Sequence, residues 1–219
     1  MEIVLASRNK KKITEMQALL TELCDREIKV LSLDDIGYTG DIEEDGCSFE
    51  ENAVIKASVP AAMGYFGISD DSGLAVDHLN GAPGIFSARY SGEGATDEKN
   101  NEKLMAEMKG VENRGAAYVS VIAFAAPSDK FIGEGDTTLS TYATGKCGIE
   151  LSAKAFRGEC RGLLLDEYRG NGGFGYDPMF FVEEYDRTFA QITQEEKNRI
   201  SHRGKALRNF AAWLNSIEE

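Results

Sequence analysis

Apolar positions along this chain change their period several times, and each change marks an element. Residues 2–6, Glu-Ile-Val-Leu-Ala, hold an unbroken apolar run after Glu2 and read as a short buried strand. After the polar Ser7-Arg8-Asn9, the positions Ile13, Met16, Leu19, Leu20 and Leu23 recur at helical spacing and predict an amphipathic helix. Residues 28–33 predict a second strand. The stretch that follows is rich in acids and glycine and reads as loop as far as Ser48, which is placed to cap a helix with Glu51 completing a capping box. That helix runs through Ala53, Ile55 and Ala57 towards Gly64. Pro60 lies inside it and predicts a kink or an early end, because proline removes a helical N–H.

Residues 67–77 read as strand, tight turn, strand, with Asp70-Asp71-Ser72-Gly73 at the turn. Residues 81–84 are loop, and 96–108 are a helix burying Leu104, Met105 and Met108. The run 116–126 is dense in β-branched and aromatic residues and predicts a strong strand. Residues 131–165 alternate like strands, with Gly133, Gly135, Gly145, Gly148, Gly158 and Gly162 as turns. A glycine-rich loop spans 170–178, and 194–200 and 201–217 predict two helices. The front half alternates strand and helix and the middle is strand-rich. This predicts a mixed α/β architecture with an elongated, strongly twisted sheet and flanking helices. No repeat or linker divides residues 1–219, which read as one domain of two closely packed lobes.

Composition narrows the function. A net charge of −13 argues against a broad nucleic-acid surface but leaves room for a few basic groups around a small phosphate ligand. The four cysteines, Cys24, Cys47, Cys147 and Cys160, form no Cys-x-x-Cys pair, so a zinc site is disfavoured and reduced thiols of a cytoplasmic protein are expected. No leader pattern opens the chain, and no apolar run approaches the ~18 residues of a membrane span.

Five segments carry candidate chemistry. In Ser7-Arg8-Asn9-Lys10-Lys11-Lys12, cations crowd the positive end of a helix dipole, where they are unfavourable without an anion. A bound polyphosphate explains them; a solvated charge run is the plainer alternative. Glu43-Glu44-Asp45 and Asp70-Asp71 offer carboxylates of the kind magnesium takes, one or two at a time with phosphate oxygens and water. Neighbours on a strand point to opposite faces, so Asp70 and Asp71 do different jobs. The plainer alternative is an Asx turn. Gly172-Gly173-Phe174-Gly175-Tyr176-Asp177 presents flat rings on flexible backbone, fit either to stack on a purine or to plug a core. In Lys197-Asn198-Arg199-Ile200-Ser201-His202-Arg203, Ser201 is placed to cap a helix whose first turn holds His202 and Arg203.

In this order the segments are specific. Ser7-x-Asn9-x-x-Lys12-x-x-Glu15, Ser48-Phe49-x-Glu51-Asn52-Ala53-x-x-Lys56-Ala57, Asp70-Asp71-Ser72-Gly73-Leu74, Gly81-Ala82-Pro83-Gly84-x-x-Ser87-Ala88-Arg89-Tyr90, Gly173-Phe174-Gly175-Tyr176-Asp177-Pro178 and Glu196-Lys197-Asn198-x-x-Ser201-His202-Arg203-Gly204 together resemble the inosine triphosphate pyrophosphatase family over about residues 3–208. Extra strand-like residues stand near 128–153. The resemblance implies a homodimer whose subunits carry a substrate cleft between two lobes. It also implies magnesium-dependent hydrolysis of inosine, deoxyinosine and xanthosine triphosphates between the α and β phosphates. By the same resemblance Ser7, Arg8, Asn9, Lys10, Lys11 and Lys12 cradle the triphosphate and Lys56 faces phosphate. Asp71 is general base and, with Glu44, metal ligand. Ser72 contacts substrate, and Phe174, Gly175, Tyr176, Asp177, Lys197, His202 and Arg203 line the nucleoside pocket. Arg8 and Lys11 depart from glycines common in the family's phosphate loop. Two other readings use the same residues: a nucleotide-binding regulator without turnover, and an NTPase releasing orthophosphate.

Overall fold

In the computed structural model, which describes residues 1–132 and 150–217, the chain begins with the predicted strand and helix: β1 (Glu2–Leu5) and α1 (Lys10–Leu23). The first three residues of the apolar run on β1, Ile3, Val4 and Leu5, are buried because β1 lies inside a sheet. It pairs in parallel with β2 (Lys29–Leu31) on one side and β3 (Phe66–Val76) on the other. Between those come α2 (Phe49–Ala62) and, after β3, α3 (Asp97–Glu107) and β4 (Gly115–Pro127). The rest are β5 (Leu151–Leu164), β6 (Phe180–Val182), β7 (Arg187–Thr188), α4 (Gln194–Ile200) and α5 (His202–Asn215). Among the described residues the strands order as β2-β1-β3-β4-β5-β6-β7, and β6 pairs antiparallel with both β5 and β7. The expected mixed α/β architecture is what the chain adopts. No helix among the described residues is long and apolar enough to cross a membrane.

The chain divides into two compact units. One comprises Met1–Asp71, Val121–Arg157 and Ala206–Glu219, and its core joins Leu5, Met16, Leu20, Ile68, Phe124 and Phe210. Phe210 and Leu214 come from α5, and Leu207 is added one turn back, so one apolar face of that helix packs into the core. The other comprises Ser72–Ser120 and Gly158–Lys205, with a core of Leu74, Val76, Leu104, Tyr118, Phe180 and Phe189.

Four expectations are corrected. The stretch around Asp70 and Asp71 is no turn: β3 runs straight through it, with Ile68, Leu74 and Val76 buried along its length. Helix α2 does not end at Pro60 but continues to Ala62. The proline sits in the last turn, so only one helical bond, to the Lys56 carbonyl, is forgone. Ser48 caps α2 as expected, its Oγ accepting from Glu51 N, but the Glu51 carboxylate turns to Cys47 N rather than closing a box on Ser48. Gly158 and Gly162 lie within β5, not at turns. At Gly162 a Cβ would stand 2.5 Å from the Phe181 carbonyl oxygen, so glycine there serves close approach of β6. Of the expected insertion near 128–153, the part covering 133–149, with Gly133, Gly135, Gly145, Cys147 and Gly148, lies outside the described residues.

Candidate active site

The acidic centre of the first unit is built on one face of β3. Gly67, Ser69 and Asp71 alternate onto the face that meets α2. Gly67 carries no side chain where a Cβ would fall 2.1 Å from the Ala57 carbonyl oxygen. Ser69 Oγ donates to the Ala53 carbonyl at 2.6 Å. Asp71 accepts from Lys56 Nζ at 2.6 Å. Strand and helix are thus locked in register by consecutive residues of one face, and the last of them forms the ion pair. Asp71 and Asp70 diverge as expected: Lys56 reaches only the backbone carbonyl of Asp70, at 3.2 Å.

The same ammonium donates to Glu44 Oε2 at 3.2 Å. Glu44 sits in a loop tied to the start of α2, where Gly46 N donates to the fully buried Asn52 Oδ1 at 2.9 Å and Cys47 N donates to Glu51 Oε2 at 2.6 Å. One lysine, largely sheltered from solvent, therefore bridges two carboxylates. Burial pushes the Asp71 carboxyl above its ordinary range; the Lys56 charge and hydrogen bond pull against that, while Glu44 and Asp70 add to it. Two carboxylates around one cation suit magnesium, which needs one or two such ligands beside phosphate oxygens and water. Replacing Lys56 with Met removes the opposing pull. Any acid limb that Asp71 sets in a pH–rate profile is then expected to move to higher pH, read from initial rates across pH.

The basic segment behaves in two ways. Asn9 caps α1, its Oδ1 accepting from Lys11 N and Lys12 N, and Ser7 Oγ accepts from Asn9 N at 3.1 Å. Lys10, Lys11 and Lys12 are exposed in the first turn, which contains no acid. Arg8 turns to the following loop: its guanidinium donates to the Tyr38 and Gly40 carbonyls, lies 3.4 Å from Asp34 and stands over the Tyr38 ring.

In the second unit the glycine-rich loop separates its two rings. Tyr176 is buried with its hydroxyl donating to the Ser87 carbonyl at 2.8 Å, so that ring plugs the core. Phe174 is 65% exposed. Lys197 Nζ lies 5.0 Å from the Phe174 centroid and 2.5 Å from Asp177 Oδ2. Asp177, only 1% exposed, also accepts from Phe174 N at 3.0 Å and from the Tyr118 hydroxyl. Its carboxylate organises the loop from within. His202 stacks on Tyr118 at 4.8 Å, and Arg203 Nη2 is 3.5 Å from Ser72 Oγ. Ser201 Oγ accepts from Gly204 N as the expected cap. Gly175, at φ +60°, is held by Asp97 and Asn101 of α3.

Tyr118, Ser69, Asp97 and Asn101 were not singled out by the sequence reading. A signal exists for each: a hydroxyl inside the apolar run of β4, a serine one alternation before Asp71, and an acid and an amide four apart on α3.

Fold and site together define a mixed α/β protein with a cation-bridged acid pair. The chain belongs to the Ham1 family, which it matches over residues 3–213. It is 45% identical over 208 residues to the dITP/XTP pyrophosphatase of Geobacter sulfurreducens, covering 94% of this chain and 92% of that protein. It is 44% identical over 211 residues to the enzyme of the same name from Desulfotalea psychrophila, covering 96% of this chain and 83% of that one. The Staphylococcus aureus Ham1 protein superposes with a TM-score of 0.81 at 37% identity, covering 98% of each chain.

Proposed function

We propose that this protein hydrolyses deaminated purine nucleoside triphosphates (inosine, deoxyinosine and xanthosine forms) to the monophosphate and pyrophosphate. The observation that carries the reading is the desolvated Asp71 carboxylate beside Glu44, both on one lysine, in a chain whose relatives are named for this reaction. Phosphoryl transfer asks little covalent chemistry of a protein. It asks for positive charge on the phosphate oxygens and an oriented nucleophile.

Lys10, Lys11 and Lys12 at the start of α1, and Lys56, hold the triphosphate. Asp71 accepts the proton of the attacking water. Glu44 and Asp71 would hold a magnesium ion, which would supply Lewis-acid charge to the phosphate oxygens. On the base side, Phe174 stacks on the purine and Arg203, supported by Ser72, donates to the C6 oxygen. Adenine offers an amino donor at C6, so a donor there is left unpaired and discrimination is strong. The family resemblance further supports a homodimer in the cytoplasm.

The test is product identity. Purified protein with magnesium and deoxyinosine triphosphate is expected to release monophosphate and pyrophosphate, with little turnover of deoxyadenosine or deoxyguanosine triphosphate in parallel reactions. Release of orthophosphate would overturn the bond assignment, and nucleotide binding without turnover would overturn catalysis.

A further inference from the structure

We propose that Asp97 and Asn101 are positioning residues for base recognition: together they clamp the Gly175 backbone so that the Phe174 ring is presented before substrate arrives. The inference deepens the reading in which Phe174 stacks on the purine, and rests on it. Phe174 stands between Gly173 (φ +74°) and Gly175 (φ +60°), both in the left-handed region. A ring carried on such backbone gains little from stacking if it must first be ordered, because ordering opposes affinity.

Two side chains one helical turn apart on α3 remove that freedom. Asp97 Oδ2 accepts from Gly175 N at 2.7 Å, and Asn101 Nδ2 donates to the Gly175 carbonyl at 3.0 Å. Phe174 N is held in turn by Asp177 Oδ2. The amide orientation of Asn101 is fixed by chemistry, since only its NH2 can donate to a carbonyl. Loop peptides at a surface are ordinarily served by water. Here both backbone polar groups of one residue are taken by side chains 78 and 74 residues distant in sequence. Asn101 is 6% exposed, whereas Asp97 lies open at the start of its helix, where its replacement leaves the core untouched.

The experiment is steady-state kinetics on deoxyinosine triphosphate with Asp97→Ala, Asp97→Asn, Asn101→Ala, Phe174→Ala and the Asp97→Ala/Phe174→Ala pair. Asp97→Ala and Asn101→Ala are each expected to raise KM about tenfold, within the range a stacked base contributes, with a smaller effect on kcat. Asp97→Asn keeps an acceptor for Gly175 N and is expected to return KM to within about twofold of wild type. In the Phe174→Ala background the Asp97→Ala effect is expected to vanish, since no ring remains to aim. A KM unchanged by Asp97→Ala while Phe174→Ala raises it would overturn the clamp alone. So would an Asp97→Ala effect that persists without Phe174, which marks a merely structural role. Phe174→Ala leaving KM unchanged would overturn the stacking reading and the clamp with it.

Discussion

Asp71→Asn is expected to lower kcat by about 10²–10⁴-fold, the range that one positioned general base contributes, while the fold is kept. The substitution is isosteric and leaves an oxygen to accept from Lys56 Nζ, so the ammonium keeps its place between the side chains at 44 and 71. What disappears is the capacity to take a proton from water. Stability separates this from damage to the fold. Burial raises the Asp71 pKa, so the folded state binds that proton more tightly than the unfolded chain does. Wild-type protein free of metal and nucleotide therefore loses stability from this group as pH rises through the window above the ordinary carboxylate range. The Asn variant has no such loss. Pyrophosphate release measured beside thermal melts at several pH values reads both effects. Near-normal turnover in the variant would remove Asp71 from the role of base.

The sequence carried the long elements well and the short-range geometry less so. Helix α3 was legible to its caps: Thr96 and Met108 bracket it as the apolar spacing of Leu104 and Met108 predicts. The β1 strand and α1 helix were equally plain, because hydrophobic period alone separates them. Turn chemistry misled where tertiary context won. Asp-Asp-Ser-Gly has turn composition, yet β1 pairs with the first part of β3, and burial of Leu74 and Val76 keeps the second part extended. Gly162 has turn composition too, but what it answers is an approaching carbonyl from β6, which no local pattern encodes. At the candidate site, residue types were legible and their pairings were not. That Lys56 meets Asp71 follows from Gly67 and Ser69 fitting against Ala57 and Ala53, a register between two elements. Arg8 shows the converse. Its charge suggests phosphate, and no local pattern shows that its length also lets it reach the Tyr38 and Gly40 carbonyls.

Asp177→Ala is expected to destabilise the protein by about 3–5 kcal/mol, the cost of stranding one member of a buried ion pair. The Lys197 side chain is 12% exposed and Asp177 is its partner at 2.5 Å. Without the carboxylate, the ammonium is left over the rings of Phe174 and Phe189, whose faces attract a cation too weakly to replace a carboxylate. The Tyr118 hydroxyl and Phe174 N lose an acceptor at the same time. Asp177→Asn keeps one acceptor oxygen and is expected to cost less. Asp177→Ala combined with Lys197→Met removes both charges, so the pair of changes is expected to cost clearly less than the sum of its parts in a double-mutant cycle. Urea unfolding of wild type, Asp177→Ala, Lys197→Met and the double variant closes the cycle, and Asp177→Asn is measured beside them. A loss below about 1 kcal/mol for Asp177→Ala would mean that water reaches Lys197 as readily as Asp177 does. The buried pair would then be no more than a surface contact, and the loop that presents Phe174 would owe its shape to its other anchors, α3 and the Tyr176–Ser87 bond among them.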